Sequence, residues 1–221
     1  MTGRTALLLT LILLAAGCAS RRAAPVQPAP EPEPAPSIVY AHETVWTADE
    51  HAVLHLADGR TFTPHPVTRL DVIGADSLGV RVRCAGCAAP VEAWVDTLHL
   101  VHTARTPAEA AAGTLADFAL AVRAAAERRD LDALLPVMTP GFSYSLTRPA
   151  SRVDAAAEWK REDLARLGRV PALLDRGLAT RDGRTWTAPA EFVTDRSYRG
   201  PRTGFQRVEG RWQWMFFVPG G

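Results

Sequence analysis

Residues 21–37 read RRAAPVQPAPEPEPAPS, and a segment of that composition cannot enter a folded core. Proline lacks a backbone N–H and has a fixed φ, so six prolines in 17 residues leave neither a helix nor a sheet ladder. The remaining side chains are mostly small or charged and bury too little apolar surface to offset the entropy of ordering. Alternating proline favours extended polyproline II at ~3.1 Å per residue, a reach of roughly 50 Å. The chain is thereby divided into a short N-terminal stretch, a tether, and a foldable region of about 38–221.

At 221 residues the chain suits one ordinary domain or two small ones. Its net charge of +1 lacks the basic excess of a nucleic-acid-binding surface, so no nucleic-acid partner is expected. Lys160 is the only lysine, and the arginines are spread among acids, as on a mixed polar surface. Three cysteines are too few for a disulfide-dense miniprotein, and no apolar run reaches the ~18 residues of a membrane-spanning helix.

The first residues read as an export signal: Arg4 supplies a positive start and residues 6–16 an apolar stretch. Small residues then lead to a cysteine in Leu13-Leu14-Ala15-Ala16-Gly17-Cys18. This ending resembles the lipobox of bacterial lipoproteins, with Ala15 where leucine is commonest. The resemblance implies a signal peptide over 1–17, lipid attachment at Cys18 and a lipidated tether over 18–37. Ala19 rather than aspartate after the cysteine implies the outer membrane, facing the periplasm. The alternative is an ordinary secretory signal with a chance cysteine.

Residues 38–103 carry β patterning. Residues 53–56, Asp58-Gly59 and residues 61–63 read as a hairpin. Residues 67–73 and 78–84 are β-rich runs joined by 74–77, and Val80, Val82 and Cys84 alternate with Arg81 and Arg83. Residues 91–95 and 98–101 complete the set, and five or six short strands suggest a small β-barrel. The ending Ala93-Trp94-Val95-Asp96-Thr97-Leu98-His99-Leu100 resembles the closing strands of bacterial Src-homology-three-like barrels, with Ala93 in place of the usual glycine.

All six histidines lie in this part, with Cys84 and Cys87 as its only cysteines. Cys84, Cys87, His99 and His102 follow the order of a four-ligand zinc site. The two histidines fall on an apparent strand, however, where an offset of three points them to opposite faces. An oxidising envelope favours a Cys84–Cys87 disulfide, with metal ligation and redox-active thiols as alternatives. No cofactor is expected.

Residues 106–219 switch to helix followed by sheet. Thr106-Pro107-Ala108-Glu109 is a capping box with proline at the first helical position. Leu115, Phe118, Val122 and Ala125 recur at helical spacing, with Asp117, Arg123 and Glu127 off the stripe. Asp130 caps a second helix, Pro140-Gly141 ends it, and residues 142–146 look like a strand. A third helix runs over 154–167, a helical turn over 171–175 ends at Gly177, and strands follow at 178–181, 185–188, 204–208 and 211–218. In the last strand Trp212, Trp214, Phe216 and Val218 fall on one face.

The expected fold class is α+β: a small N-terminal β-barrel, then a helix-then-sheet α+β cone over 106–219. The order of elements resembles the nuclear-transport-factor-two and ketosteroid-isomerase-like superfamily, through Glu127-Arg128-Arg129-Asp130-Leu131-Asp132-Ala133-Leu134-Leu135 and Gly204-Phe205-Gln206-Arg207-Val208-Glu209-Gly210-Arg211-Trp212. That resemblance implies a cone whose pocket, in its enzymes, holds an Asp, His or Tyr. Candidates are Tyr144, Glu158, Glu191 and Asp195, with Tyr144 and Asp195 as pocket residues. Glu158 reads as part of a solvated helix face. No acid–base pair can be placed together, so no catalytic residue is assigned.

Trp46, Trp159 and Trp186 fall near element ends, where a peptide or glycan can stack, although core packing accounts for at least two of them. The leading expectation is a non-catalytic envelope lipoprotein, held to the membrane by lipid, that binds a cell-wall polymer or a periplasmic protein. Alternatives are a small apolar ligand in the cone, bound or converted, and a metal or redox role for the histidine-rich part.

Overall fold

Strict alternation builds the first sheet: Val80, Val82 and Cys84 are buried while Arg81 and Arg83 face water. A computed structural model describes residues 43–84, 87, 90–102 and 105–220; the expected signal peptide, Cys18 and the tether lie outside them. Strands β1 (Thr44–Thr47), β2 (Leu54–Leu56), β3 (Thr61–Phe62), β4 (Arg69–Asp76), β5 (Gly79–Cys84), β6 (Val91–Val95) and β7 (Leu100–Val101) form one sheet in the order β3-β2-β6-β5-β4-β1-β7. Neighbouring strands are antiparallel, and the inner face gathers Val45, Leu54, Leu70, Val72, Val80, Val82, Ala93 and Val95.

The expected barrel is not closed. Both edges, β3 and β7, are two residues long and have too few ladder groups to join. At β7 the cause is local. Asp96 caps a 3-10 turn over Thr97–His99, which takes residues that read as strand. The β4–β5 turn also falls later than expected, at Ser77-Leu78. An irregularity between Val72 and Gly74 carries the strand on to Asp76, whose carboxylate accepts the Leu78 N–H.

Helices α1 (Pro107–Ala110), α2 (Leu115–Glu127), α3 (Leu131–Leu134), α4 (Arg152–Arg161), α5 (Val170–Leu174) and α6 (Glu191–Thr194) belong to the second half. The capping box at Thr106 and Glu109 is formed, but Thr114 caps anew, so two helices stand where one was expected. Ser151 caps α4, and the left-handed conformations of Asp163 and Leu164 end it short of residue 167. Strands β8 (Met138–Ser143), β9 (Ala179–Thr180), β10 (Thr185–Ala188), β11 (Arg202–Val208) and β12 (Arg211–Val218) form the second sheet, ordered β8-β12-β11-β10-β9. Only β8 runs parallel to its neighbour, β12. Pro140-Gly141 does not end a segment but lies inside β8, which proline tolerates because β8 is an edge.

The expected alternation in β12 also fails. Register shifts between Gly204 and Phe205, and between Trp214 and Phe216, put Trp214 and Phe217 together in the core and leave Phe216 half-buried. Their rings lie 6.4 Å apart, and Trp159 and Phe142 pack against Trp214 at 5.8 and 5.0 Å. Phe118 of α2 meets Phe205 edge-on at 5.6 Å. Large aromatic side chains therefore fill the space between this sheet and its helices.

The two sheets belong to one compact unit, residues 38–221. Asp175, after α5, accepts from the Trp46 indole at 3.1 Å and from both Nε and Nη2 of Arg123, at 2.8 and 3.2 Å. The Arg123 guanidinium also stacks over Trp46 at 4.9 Å. Burial opposes the charge on Arg123, but the Asp175 and Glu127 carboxylates together outweigh it and hold the guanidinium above its ordinary pKa. Gly177, at φ +77°, lets the chain pass against His65 and Thr68, so that Leu178 N–H reaches Pro66 O at 2.8 Å. Two sheets, the second with helices packed against it, make a mixed α and β fold.

Candidate functional site

The strands β10, β11 and β12 set their side chains in register. Trp186 lies opposite Phe205, and Arg207 lies opposite Trp212 across the two-residue turn Glu209-Gly210. Phe205 is fully buried, whereas Trp186 and Trp212, toward the ends of their strands, are half-buried. They line a groove of about 600 Å³ together with Gly183, Arg184, Gln206 and Arg207. One wall is fixed by α1: Trp212 N–H donates to Ala111 O at 2.7 Å and Arg211 Nη2 to Ala108 O at 2.9 Å.

The groove is electropositive. Arg184 and Arg207 are exposed, and neither forms an ion pair among the described residues. Arg207 Nε donates to Gly210 O at 3.1 Å, and its guanidinium lies 5.9 Å from the Trp212 ring centroid. The nearby Asp182 is occupied: its Oδ1 accepts the Thr185 and Arg184 N–H groups, both at 2.8 Å, and the Thr180 hydroxyl. Those donors, the Thr185 amide first, hold its carboxyl below the ordinary aspartate range. The Trp212 indole N–H is buried without an acceptor among the described residues. Such a site can stack a flat face, donate hydrogen bonds and attract an anion; its lining contains no nucleophile or general base.

Trp186 also borders a second cleft of about 350 Å³, with Asp49, His51, Val101, Leu115 and Asp117. Of the other tryptophans singled out from sequence, Trp46 is held by Asp175 and Trp159 is fully buried. Trp212 was missed because strict alternation assigned it to the core with Trp214. Its place beside the turn, facing Arg207 across the hairpin, was the signal available.

Cys84 and Cys87 are joined in a disulfide. His99 lies in the 3-10 turn, not on a strand, with Nδ1 3.4 Å from an Asp49 carboxylate oxygen, and His102 is exposed beyond β7. Among the described residues no group of three or more His, Cys, Asp or Glu could hold a metal ion.

Tyr144 and Asp195 have separate surroundings. Tyr144 is buried, and its hydroxyl, with the charge of Glu158, holds the Arg148 guanidinium above its ordinary pKa. Glu158 is only 6% exposed, against the expectation of a solvated face: Arg148 and Arg166, the latter at 2.9 Å, reach it from opposite ends of α4. Asp195 is exposed and accepts the Ser197 hydroxyl at 2.7 Å and its N–H at 2.8 Å, which keeps its carboxyl low. Glu191 pairs with Arg176 at 3.0 Å. Compared with protein-family models, curated proteins and solved structures, the chain matches none.

Proposed function

We propose that this chain is a lipid-anchored, non-catalytic component of a bacterial cell envelope, and that its folded part binds a cell-wall polymer. The observation that carries the reading is the groove: two half-buried indoles flanked by two guanidinium groups that have no carboxylate partner among the described residues. The lipobox-like run to Cys18 and the proline-rich tether support the envelope location, on the outer membrane facing the periplasm. The 3-10 turn before the last short strand supports the likeness to Src-homology-three-like modules. The helices α1–α3 ahead of β8, and the parallel β8–β12 pair, support the cone-like reading of the second half.

The alternatives lack such support. Trp159, Trp214, Phe142 and Phe217 pack against one another where a cone would hold its apolar ligand, and the Cys84–Cys87 disulfide leaves no thiolate pair to hold a metal. The test is co-sedimentation of residues 38–221 with purified peptidoglycan. The protein should pellet above a control protein, and W186A/W212A should return it to the supernatant. Pelleting no better than the control would end the reading.

A further inference from the structure

We infer that the groove of Gly183, Arg184, Trp186, Gln206, Arg207 and Trp212 recognises a carboxylate-bearing sugar of the wall's glycan strand, a muramyl residue with its lactyl carboxylate free. This rests on the wall-binding reading and names the chemistry of the same site. A pyranose presents an apolar C–H face that suits an indole, and Trp186 and Trp212 are rigid platforms already partly packed beneath. Stacking alone does not distinguish sugars. The arginines do: a guanidinium matches a carboxylate through two parallel hydrogen bonds.

Arg184 and Arg207 are free to make that contact. Neither is ion-paired among the described residues: Asp182, two residues before Arg184, accepts two backbone N–H groups and the Thr180 hydroxyl, and Glu209, two residues beyond Arg207, is exposed in the hairpin turn. The Arg207 guanidinium lies over the Trp212 ring, 5.9 Å from its centroid, so the charge and that indole form one surface. Gln206 supplies a donor and an acceptor for hydroxyl or acetamido groups. A volume of about 600 Å³ falls in the range of ligand clefts and admits a short oligosaccharide. A phosphate polymer is less well matched, because two arginines on a chain of net charge +1 do not make the basic stripe that tracks a phosphate backbone.

Titration with tryptophan fluorescence tests this. The probes are a tetrasaccharide of alternating N-acetylglucosamine and N-acetylmuramic acid without peptide, a chitotetraose of equal length, a tetragalacturonate, and a free muramyl stem peptide. The muramyl tetrasaccharide should bind about tenfold tighter than chitotetraose at low salt, and R184Q/R207Q should abolish the difference. W186A should weaken both, with far-ultraviolet circular dichroism and an unchanged urea midpoint confirming the fold. Equal affinity for the two tetrasaccharides, indifference to the arginine substitutions, tightest binding of the galacturonate or the stem peptide, or no binding of any probe would overturn the inference. If peptidoglycan still pellets the protein in such a case, the wall reading stands alone. If the oligosaccharide binds but peptidoglycan does not pellet the protein, the ligand chemistry stands and the wall reading falls.

Discussion

Asp175 meets three partners drawn from both halves of the chain: the Trp46 indole, the Arg123 guanidinium and, at 3.8 Å, Arg69. The Arg123 side chain is 13% exposed and that of Asp175 18%, so removing the carboxylate strands a largely buried cation. Asp175→Ala should cost about 3 kcal/mol in urea unfolding, with Arg123→Ala in the same background adding little; a loss below about 0.5 kcal/mol would show that the contact contributes nothing. Carboxylates in turns carry a pH signature. Asp182, held by the Thr185 and Arg184 amides, and Asp195, held by the Ser197 hydroxyl and amide, have folded-state pKa values below the ordinary range. A lowered value adds stability that is complete above the unfolded-chain value and lost as pH falls through the folded one. Urea midpoints should therefore drop as pH falls below about 4, and D182N/D195N should flatten that drop; an unchanged profile would refute the assignment. The sequence could reveal the turn carboxylates, because their partners are two or three residues away. It could not reveal Asp175, whose indole partner is 129 residues distant, nor the burial of Glu158, whose charged neighbours in sequence imitate a solvated face.

Elements whose signals are local appeared where their residues placed them. The Asp58-Gly59 hairpin, the Thr106 capping box, the Asp130 cap and the Glu209-Gly210 turn each rest on contacts within a few residues. Departures came where a neighbouring strand decided the outcome. β8 tolerates Pro140 because it is an edge, and β12 shifts register because Gly204 faces the Phe216 ring. A Cβ at Gly204 would lie 2.3 Å from the Phe216 ring, a contact that cannot persist unless that ring or its strand moves. Gly204→Ala should therefore cost about 1–3 kcal/mol and disturb the aromatic signals of Phe216 and Trp214. Gly141, in β8, has open space where its Cβ would stand, so Gly141→Ala provides the control. Equal effects of the two substitutions on the unfolding midpoint would mean that glycine's backbone freedom, not the Phe216 contact, governs position 204.

At the scale of the whole molecule, the groove needs a position as well as a shape. Among the described residues no helix is long and apolar enough to cross a membrane; the proposed attachment is through acyl groups on Cys18. One acyl chain holds a protein only marginally, but several, at ~0.8 kcal/mol per buried CH₂, make attachment effectively permanent. A tether of roughly 50 Å would then carry residues 38–221 away from the bilayer toward the wall. The two parts should separate by mutation. The full chain should partition into the detergent-rich phase of a Triton X-114 extract and incorporate labelled palmitate, whereas Cys18→Ser should do neither. Deleting residues 25–36 should leave lipidation and partitioning intact yet lower the fraction cross-linked to peptidoglycan in whole cells, because the groove stays but its reach does not. A Cys18→Ser protein that remained in the detergent phase would remove the lipid anchor from the account. A shortened tether that cross-linked as well as the full one would show that the folded part meets its polymer at the membrane surface.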